Sequence, residues 1–247
     1  MALDVGGMAD ELAAAAPQLR QRPDDRRPSR LRTGSRATHA RTPDSGGRRM
    51  TVAARIPEPE APELVARNLA VGARLAAGAT TFAFLGPVFA YLYLRSLNTA
   101  DLWHPAGVDP PLLLGTAIVL LTAASAVVLL LASRRAAASR NRLLFLASLS
   151  FLLGIAAVAL QVVEYFVLGF GPTDGGYASV FVAWSGLTAV FALGTMLWLE
   201  TLIAFMLRGG ERDPSQAIGP RFAALAFYWA YLAGLGIVMW VCLYVTA

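Results

Sequence analysis

The sequence predicts an all-α membrane protein, a bundle of five transmembrane helices behind a polar tail, and three observations carry that reading. Of its 247 residues 56% are hydrophobic and only 15% are charged, a balance far from that of a soluble domain. Five apolar runs, at about 75–94, 112–132, 143–168, 177–207 and 222–245, are each long enough to cross a hydrocarbon core of about 30 Å, which takes about 20 helical residues. Finally, arginines collect in alternate connections between these runs, as they do on the cytoplasmic side of a membrane.

Residues 1–66 read as a disordered cytoplasmic tail, rich in Arg and Pro, with RQRPDDRRPSRLR at 20–32 and PEPEAPE at 57–63. Its eleven Arg are interleaved with eight acidic residues up to Glu60, so it is expected to be solvated rather than to bind nucleic acid. No apolar core of a secretory signal appears before residue 69. A natural start at Met50 is a further expectation; an intact mass placing the N-terminus upstream of residue 50 would exclude it. All twenty-one basic residues are Arg, which suggests a GC-rich, bacterial genome.

Residues 67–247 form the five-helix domain. Pro87, within FAFLGPVFAY (82–91), is expected to kink the first span, because it removes an intrahelical hydrogen bond. The loop LNTADLWHPAGVDPP (97–111) carries His104, expected as an exposed polar group; the other histidine, His39, lies in the tail. Two such histidines do not supply the axial ligands of a haem. The lone Cys242, inside the last span, excludes a disulfide framework and a cysteine-based metal site.

The third span ends in LQVVEYF (160–166), with Gln161 and Glu164 one turn apart on one helix face. A central acidic side chain costs roughly 2.5–3.5 kcal/mol to insert, and less near the interface. Two placements are open for Glu164: a near-interface carboxylate reaching water or a helix cap, or an interior one held by Gln161 or a tyrosine. The turn GPTDGGY (171–177) should reverse the chain, with positive φ available at Gly169, Gly171, Gly175 and Gly176, and with Thr173 or Asp174 as the cap. Spans three and four then become antiparallel neighbours.

Glu200 lies two turns before Arg208 in the long fourth span. An inner-side ion pair between the two is the structural reading; proton uptake or a subunit contact is the other. Gly154, Gly186, Gly194, Gly234 and Gly236 suit close helix packing.

Orientation follows from the arginines. Arg67 and Arg74 precede span one; Arg134, Arg135, Arg140 and Arg142 lie between spans two and three; Arg208, Arg212 and Arg221 lie between spans four and five. The opposite side holds Arg95 with Asp101, Asp109 and Asp174. The N-terminus is therefore expected inside and the C-terminus outside.

The stretch LQVVEYF…PTDGGYASVFVAWSGLTAV (160–190) resembles the haem-copper (cytochrome c) oxidase subunit III family, where a Q-x-x-E-Y helix is followed by a D-G-x-Y-G-S-x-F-F turn and helix. FLGPVFAYLYLRS (84–96), LWHPAGVDPP (102–111) and FYWAYLAGLGIVMWVCLYV (227–245) resemble further pieces of that family in the same order. The likeness covers about residues 70–247 and suits the divergent five-helix bacterial form. On the family's pattern remain Gln161, Glu164, Tyr165, Asp174, Gly175, Tyr177, Ser179, Phe181, Gly186, Tyr228 and Trp229. Departures are as specific: the family's early acidic residue falls near Thr80, the histidines of its H-G-L-H motif at Ser185 and Thr188, and the His and Asp of its last helix at Ala230 and Ala233.

The resemblance implies a non-catalytic accessory subunit of a respiratory complex in the bacterial plasma membrane. It would pack on oxidase subunits I and II, hold membrane lipid in a helix cleft, and support proton uptake and the stability of subunit I. No cofactor is expected in this chain; haem and copper would sit in partner subunits. An accessory subunit of a nitric-oxide reductase is the alternative within the same class. A free-standing transporter or scaffold is the alternative outside it, disfavoured because polar side chains at mid-depth are few, chiefly Thr80, Thr122, Ser125, Ser185 and Thr188.

Overall fold

The structure, a computed structural model, describes residues 61–98, 103–104, 109–134, 139–209 and 214–246. The tail up to residue 60, together with Asp101, Arg135 and Arg212, lies outside the described residues. Five helices follow one another, α1 (Pro62–Ser96), α2 (Leu112–Arg134), α3 (Arg140–Val167), α4 (Gly176–Leu207) and α5 (Pro214–Trp240). A π-helical turn, Val241–Val245, continues α5. All five are long and apolar enough to span a membrane, and among the described residues there is no strand.

Helix formation here is dictated by solvent: no lipid group can satisfy a backbone N–H or C=O, so each span closes its own hydrogen bonds. Packing then sorts the helices. α5 lies against α1, α2 and α4, and α3 lies against α2 and α4. More than half of the apolar stretch of α5 is buried, against about a quarter in the other four, so α5 is the central element. The interior is aromatic, with Tyr177, Phe181, Trp184, Phe222 and Trp229 buried together. Phe82, Leu113 and Phe166 point outward instead, as lipid-facing side chains do.

Three expectations about the chain's ends and turns need correction. α1 begins at Pro62, so residues 62–66, assigned to the tail, are helical. At 1.5 Å per residue its 35 residues extend about 52 Å, well beyond the hydrocarbon core; Glu63, Arg67 and Arg74 hid this first part from a hydropathy criterion. Pro62 opens the helix where its missing N–H costs nothing, and Pro87 lies within α1 without ending it.

Neither Thr173 nor Asp174 caps α4. Gly175 is the cap residue, with φ 144° and no side-chain cap bond, and it is the one glycine of the predicted four with positive φ. Asp174 closes the turn instead: its Oδ2 accepts the Gly171 N–H at 2.6 Å. Ser179 Oγ lies 2.6 Å from the Pro172 carbonyl, bracing the same turn from inside α4.

Glu200 and Arg208 form no ion pair; among the described residues the pair within reach is His104 with Asp109, at 3.8 Å. Eight helical residues separate Glu200 from Arg208 by about 12 Å of rise, too far for Glu200 to bridge, and both are exposed.

Candidate functional site

Gln161 and Glu164, the polar pair the sequence singles out on the third span, are both buried. Glu164 is 0% and Gln161 4% exposed, so the interior placement holds. Gln161 Nε2 donates to Glu164 Oε2 at 2.5 Å. The other carboxyl oxygen, Oε1, accepts from Tyr244 Oη at 2.5 Å. Among the described residues no cation pairs with Glu164; two neutral donors hold it.

Tyr244 reaches Glu164 from the π-helical turn that ends the last span, where the Thr246 N–H bonds to the Val241 carbonyl at 3.0 Å. One extra residue in such a turn re-aims the side chains after it. The ring lies over Gly115 of α2 so closely that any Cβ there would collide with it, and it meets Phe181 edge-on at 5.5 Å. Beside it, Tyr177 Oη donates to the Leu243 carbonyl. The polar pair on α3 is therefore clamped by the end of α5 across the face of α2.

Around this cluster stands an aromatic layer at the same end of the bundle. Trp103 lies edge-on to both Tyr91 and Tyr177, at 5.3 and 5.8 Å, and its carbonyl accepts the Tyr177 N–H at 2.9 Å. The His104 ring packs on Tyr177 at 4.6 Å, so this histidine is a packing element rather than a free polar group. Arg95 donates to Tyr91 Oη at 2.5 Å. Tyr165 Oη donates to Ser185 Oγ at 2.8 Å, because the Ser185 hydroxyl is already given to the Phe181 carbonyl. A Cβ added at Gly186 would lie 3.5 Å from Tyr165 Oη, in ordinary contact.

Deeper in the membrane further polar contacts join helices. Ser125 Oγ donates to the Ser150 carbonyl at 2.7 Å and Ser150 Oγ returns a bond to the Ser125 carbonyl at 2.9 Å. Trp229 Nε1 donates to Ser125 Oγ at 3.0 Å, so α2, α3 and α5 share one buried knot. Gly154 makes it possible, since a Cβ there would strike Met196 and crowd Ser125. Thr80 and Tyr228 share a hydrogen bond of 2.9 Å between α1 and α5.

Of the singled-out residues, the structure brings Gln161 and Glu164 into one network and Tyr165 and Gly186 into contact. Asp174 and Gly175 build the turn before α4, Tyr177 ties that turn to the end of α5, and Tyr228 and Trp229 serve the α5 seams. Tyr244, Gly115 and Ser150 are the residues that sequence reasoning missed, together with the part Ser125 plays as Ser150's partner. A depth count finds one of them: Tyr244 and Glu164 each lie within one turn of a helix end on the same side. No such count pairs Ser125 with Ser150, which depends on how α2 and α3 are rotated.

Chemically this is a hydrogen-bonded framework without a nucleophile held by a base. Among the described residues no group of three or more His, Cys, Asp or Glu side chains gathers as metal ligands would.

Comparison with known proteins places the whole helical region. The family described as cytochrome c oxidase subunit III matches residues 60–247. Among individual proteins, cytochrome c oxidase subunit 3 of Osphranter robustus is 30% identical over 191 residues, covering 74% of this chain and 70% of that protein. Cytochrome c oxidase subunit 3 of Ornithorhynchus anatinus is 29% identical over 193 residues, with the same coverage.

Proposed function

The chain belongs to the cytochrome c oxidase subunit III family, and on that premise we propose that it is a non-catalytic accessory subunit of a respiratory haem-copper oxidase. The observation that carries this is the extent of the family match, which takes in all five spans. The chain's own chemistry agrees. It has two histidines in all, one of them packed on Tyr177 and paired with Asp109, so haem and copper are assigned to partner subunits. Its buried polar groups fasten helices together, which suits a subunit that stabilises the catalytic chain beside it.

The chain sits in the bacterial plasma membrane with the N-terminus cytoplasmic and the C-terminus outside. Arginine placement supports this. At one end of the bundle are Arg134, Arg140, Arg142, Arg208 and Arg221, of which Arg140 donates to the Met206 carbonyl and Arg221 lies over Phe205. At the other end stands Arg95. Subunits I and II are the partners, with membrane lipid as a third. A cavity of about 280 Å³ between α1 and α5, lined by Ala70, Ala73, Ala224 and Phe227 with Arg74 among them, offers apolar walls for an acyl chain and a cation for a phosphate. Of the supporting roles, stabilising subunit I fits better than proton uptake, because the family's acidic and histidine positions hold Thr80, Ser185, Thr188, Ala230 and Ala233.

Deleting the gene tests the proposal. The oxidase purified from the deletion strain should keep its haem spectrum but lose activity progressively during turnover, and re-expression of this chain should restore sustained turnover. Unchanged turnover stability and subunit yield would refute it.

A further inference from the structure

α2, α3, α4 and α5 form a ring in which packing runs between neighbours, α2 with α3, α3 with α4, α4 with α5 and α5 with α2. Small side chains face the middle of that ring: Ala157, Ala189, Ala192 and Gly236. The centre is left as two adjoining cavities of about 30 Å³ each, and both are lined by Thr122, Gln161 and Thr188.

A water requires about 10–15 Å³ of such space and two to four polar partners. Each cavity meets the first condition. The second is met by a particular atom. Gln161 is 4% exposed and spends its amide N–H on Glu164. A carboxylate accepts only from the NH₂ group, so the amide carbonyl Oε1 is turned the other way, and among the described residues it has no protein partner. Thr122 Oγ1 and Thr188 Oγ1 have given their protons to the Ile118 carbonyl and to the Trp184 carbonyl or Met239 sulfur. Their lone pairs remain. The three side chains therefore offer three acceptors against one remaining donor, the second N–H of the Gln161 amide, and such an acceptor-rich wall suits a water's two O–H groups.

We propose that these cavities are an internal hydration site, in which water donates to Gln161 Oε1 and to the hydroxyl oxygen of Thr122 or Thr188. The site has a structural consequence. Water satisfies the carbonyl of Gln161 and so holds the amide in the one orientation that gives its N–H to Glu164. The polar framework at the outer end of α3 thus depends on a ligand bound in the middle of the bundle. This inference rests on the geometry of the ring and stands independently of the role proposed for the complex.

The direct test is a cryo-EM map of the purified native complex at a resolution that shows ordered water. A peak within hydrogen-bonding distance of Gln161 Oε1 and of Thr122 or Thr188 Oγ1 is expected. Absence of any peak there, with waters resolved at other buried sites of the same map, would overturn the proposal, as would closure of the space by a neighbouring side chain. A second measurement uses the sign of a stability change. Ala233→Val adds methyl groups toward this space; it should lower the thermal midpoint in the native background and lower it less, or raise it, with Gln161→Leu. An equal loss in both backgrounds means steric crowding alone, and a gain in the native background means a dry space; each outcome contradicts hydration.

Discussion

Tyr244→Phe isolates the contact on which the outer polar framework turns. The substitution deletes one hydroxyl and leaves the ring where it is, over Gly115 and edge-on to Phe181. What is lost is the 2.5 Å bond to Glu164 Oε1. Orphaning a buried acceptor costs about 1–3 kcal/mol. Hydrogen bonds inside membrane proteins average about 0.6 and reach about 1.7 kcal/mol, which puts the expected loss in the lower half, about 1–2 kcal/mol. For a chain of this size each kcal/mol moves a thermal midpoint by about 2–4 °C, so a fall of about 2–8 °C is expected. The assay is the temperature at which this subunit unfolds or leaves the purified complex. Tyr93→Phe is the control, because Tyr93 is half exposed and stacked on Phe89; it should shift the midpoint by no more than about 2 °C. The reasoning fails if Tyr244→Phe is as silent as that control, or if its effect is undiminished in a Glu164→Leu background, where the bond no longer exists.

Three further substitutions, two of them with a control, probe the deeper seams by the same measurement. Gly154→Val should cost about 1–3 kcal/mol, because its side chain enters the space held by Met196 and Ser125, whereas Gly194→Ala, with nothing within 4 Å of the added carbon, should stay within about 0.5 kcal/mol. Ser125→Ala should cost about 1–3 kcal/mol by stranding the Trp229 N–H and half of the serine pair; a loss equal to that of Thr116→Ala, at a partly exposed position with a bond only within its own helix, would count against the knot. Tyr228→Phe should cost about 0.6 kcal/mol and at most about 1.7 kcal/mol by removing its bond to Thr80, and a neutral result would mean that this bond adds nothing to an α1–α5 seam held by apolar packing and by the Thr81–Tyr231 bond of 2.6 Å.

The spans were legible because hydropathy is a property of the chain itself. α2, α3 and α4 begin and end within three residues of the apolar runs that announce them. α1 was misjudged at its start, since a helix can continue past the hydrocarbon where polar side chains are welcome, and apolarity measures depth rather than helicity. Gln161 and Glu164 were legible as a pair because the i, i+3 spacing is local. Tyr244 was not, because its approach to Glu164 depends on a π-helical turn and on Gly115, both of which act across helices. The glycines make the same point: Gly154, Gly186 and Gly194 read alike in the sequence, yet of the three it is at Gly154 that an added Cβ would collide with a neighbouring helix. Thr188 and Ala233, the positions where the family pattern leads one to expect His and Asp, both line the central cavity, so departures from a motif became meaningful only when placed in space.

Membership of an oxidase complex is the claim on which the functional account stands. Tagging the C-terminus, solubilising native membranes in mild detergent and purifying the chain allows one measurement, a reduced-minus-oxidised haem spectrum with mass spectrometry of the co-purifying chains. A haem signal is expected together with a large histidine-rich membrane subunit and a second oxidase subunit. A colourless preparation, with the intact oxidase left in the unbound fraction, would contradict it.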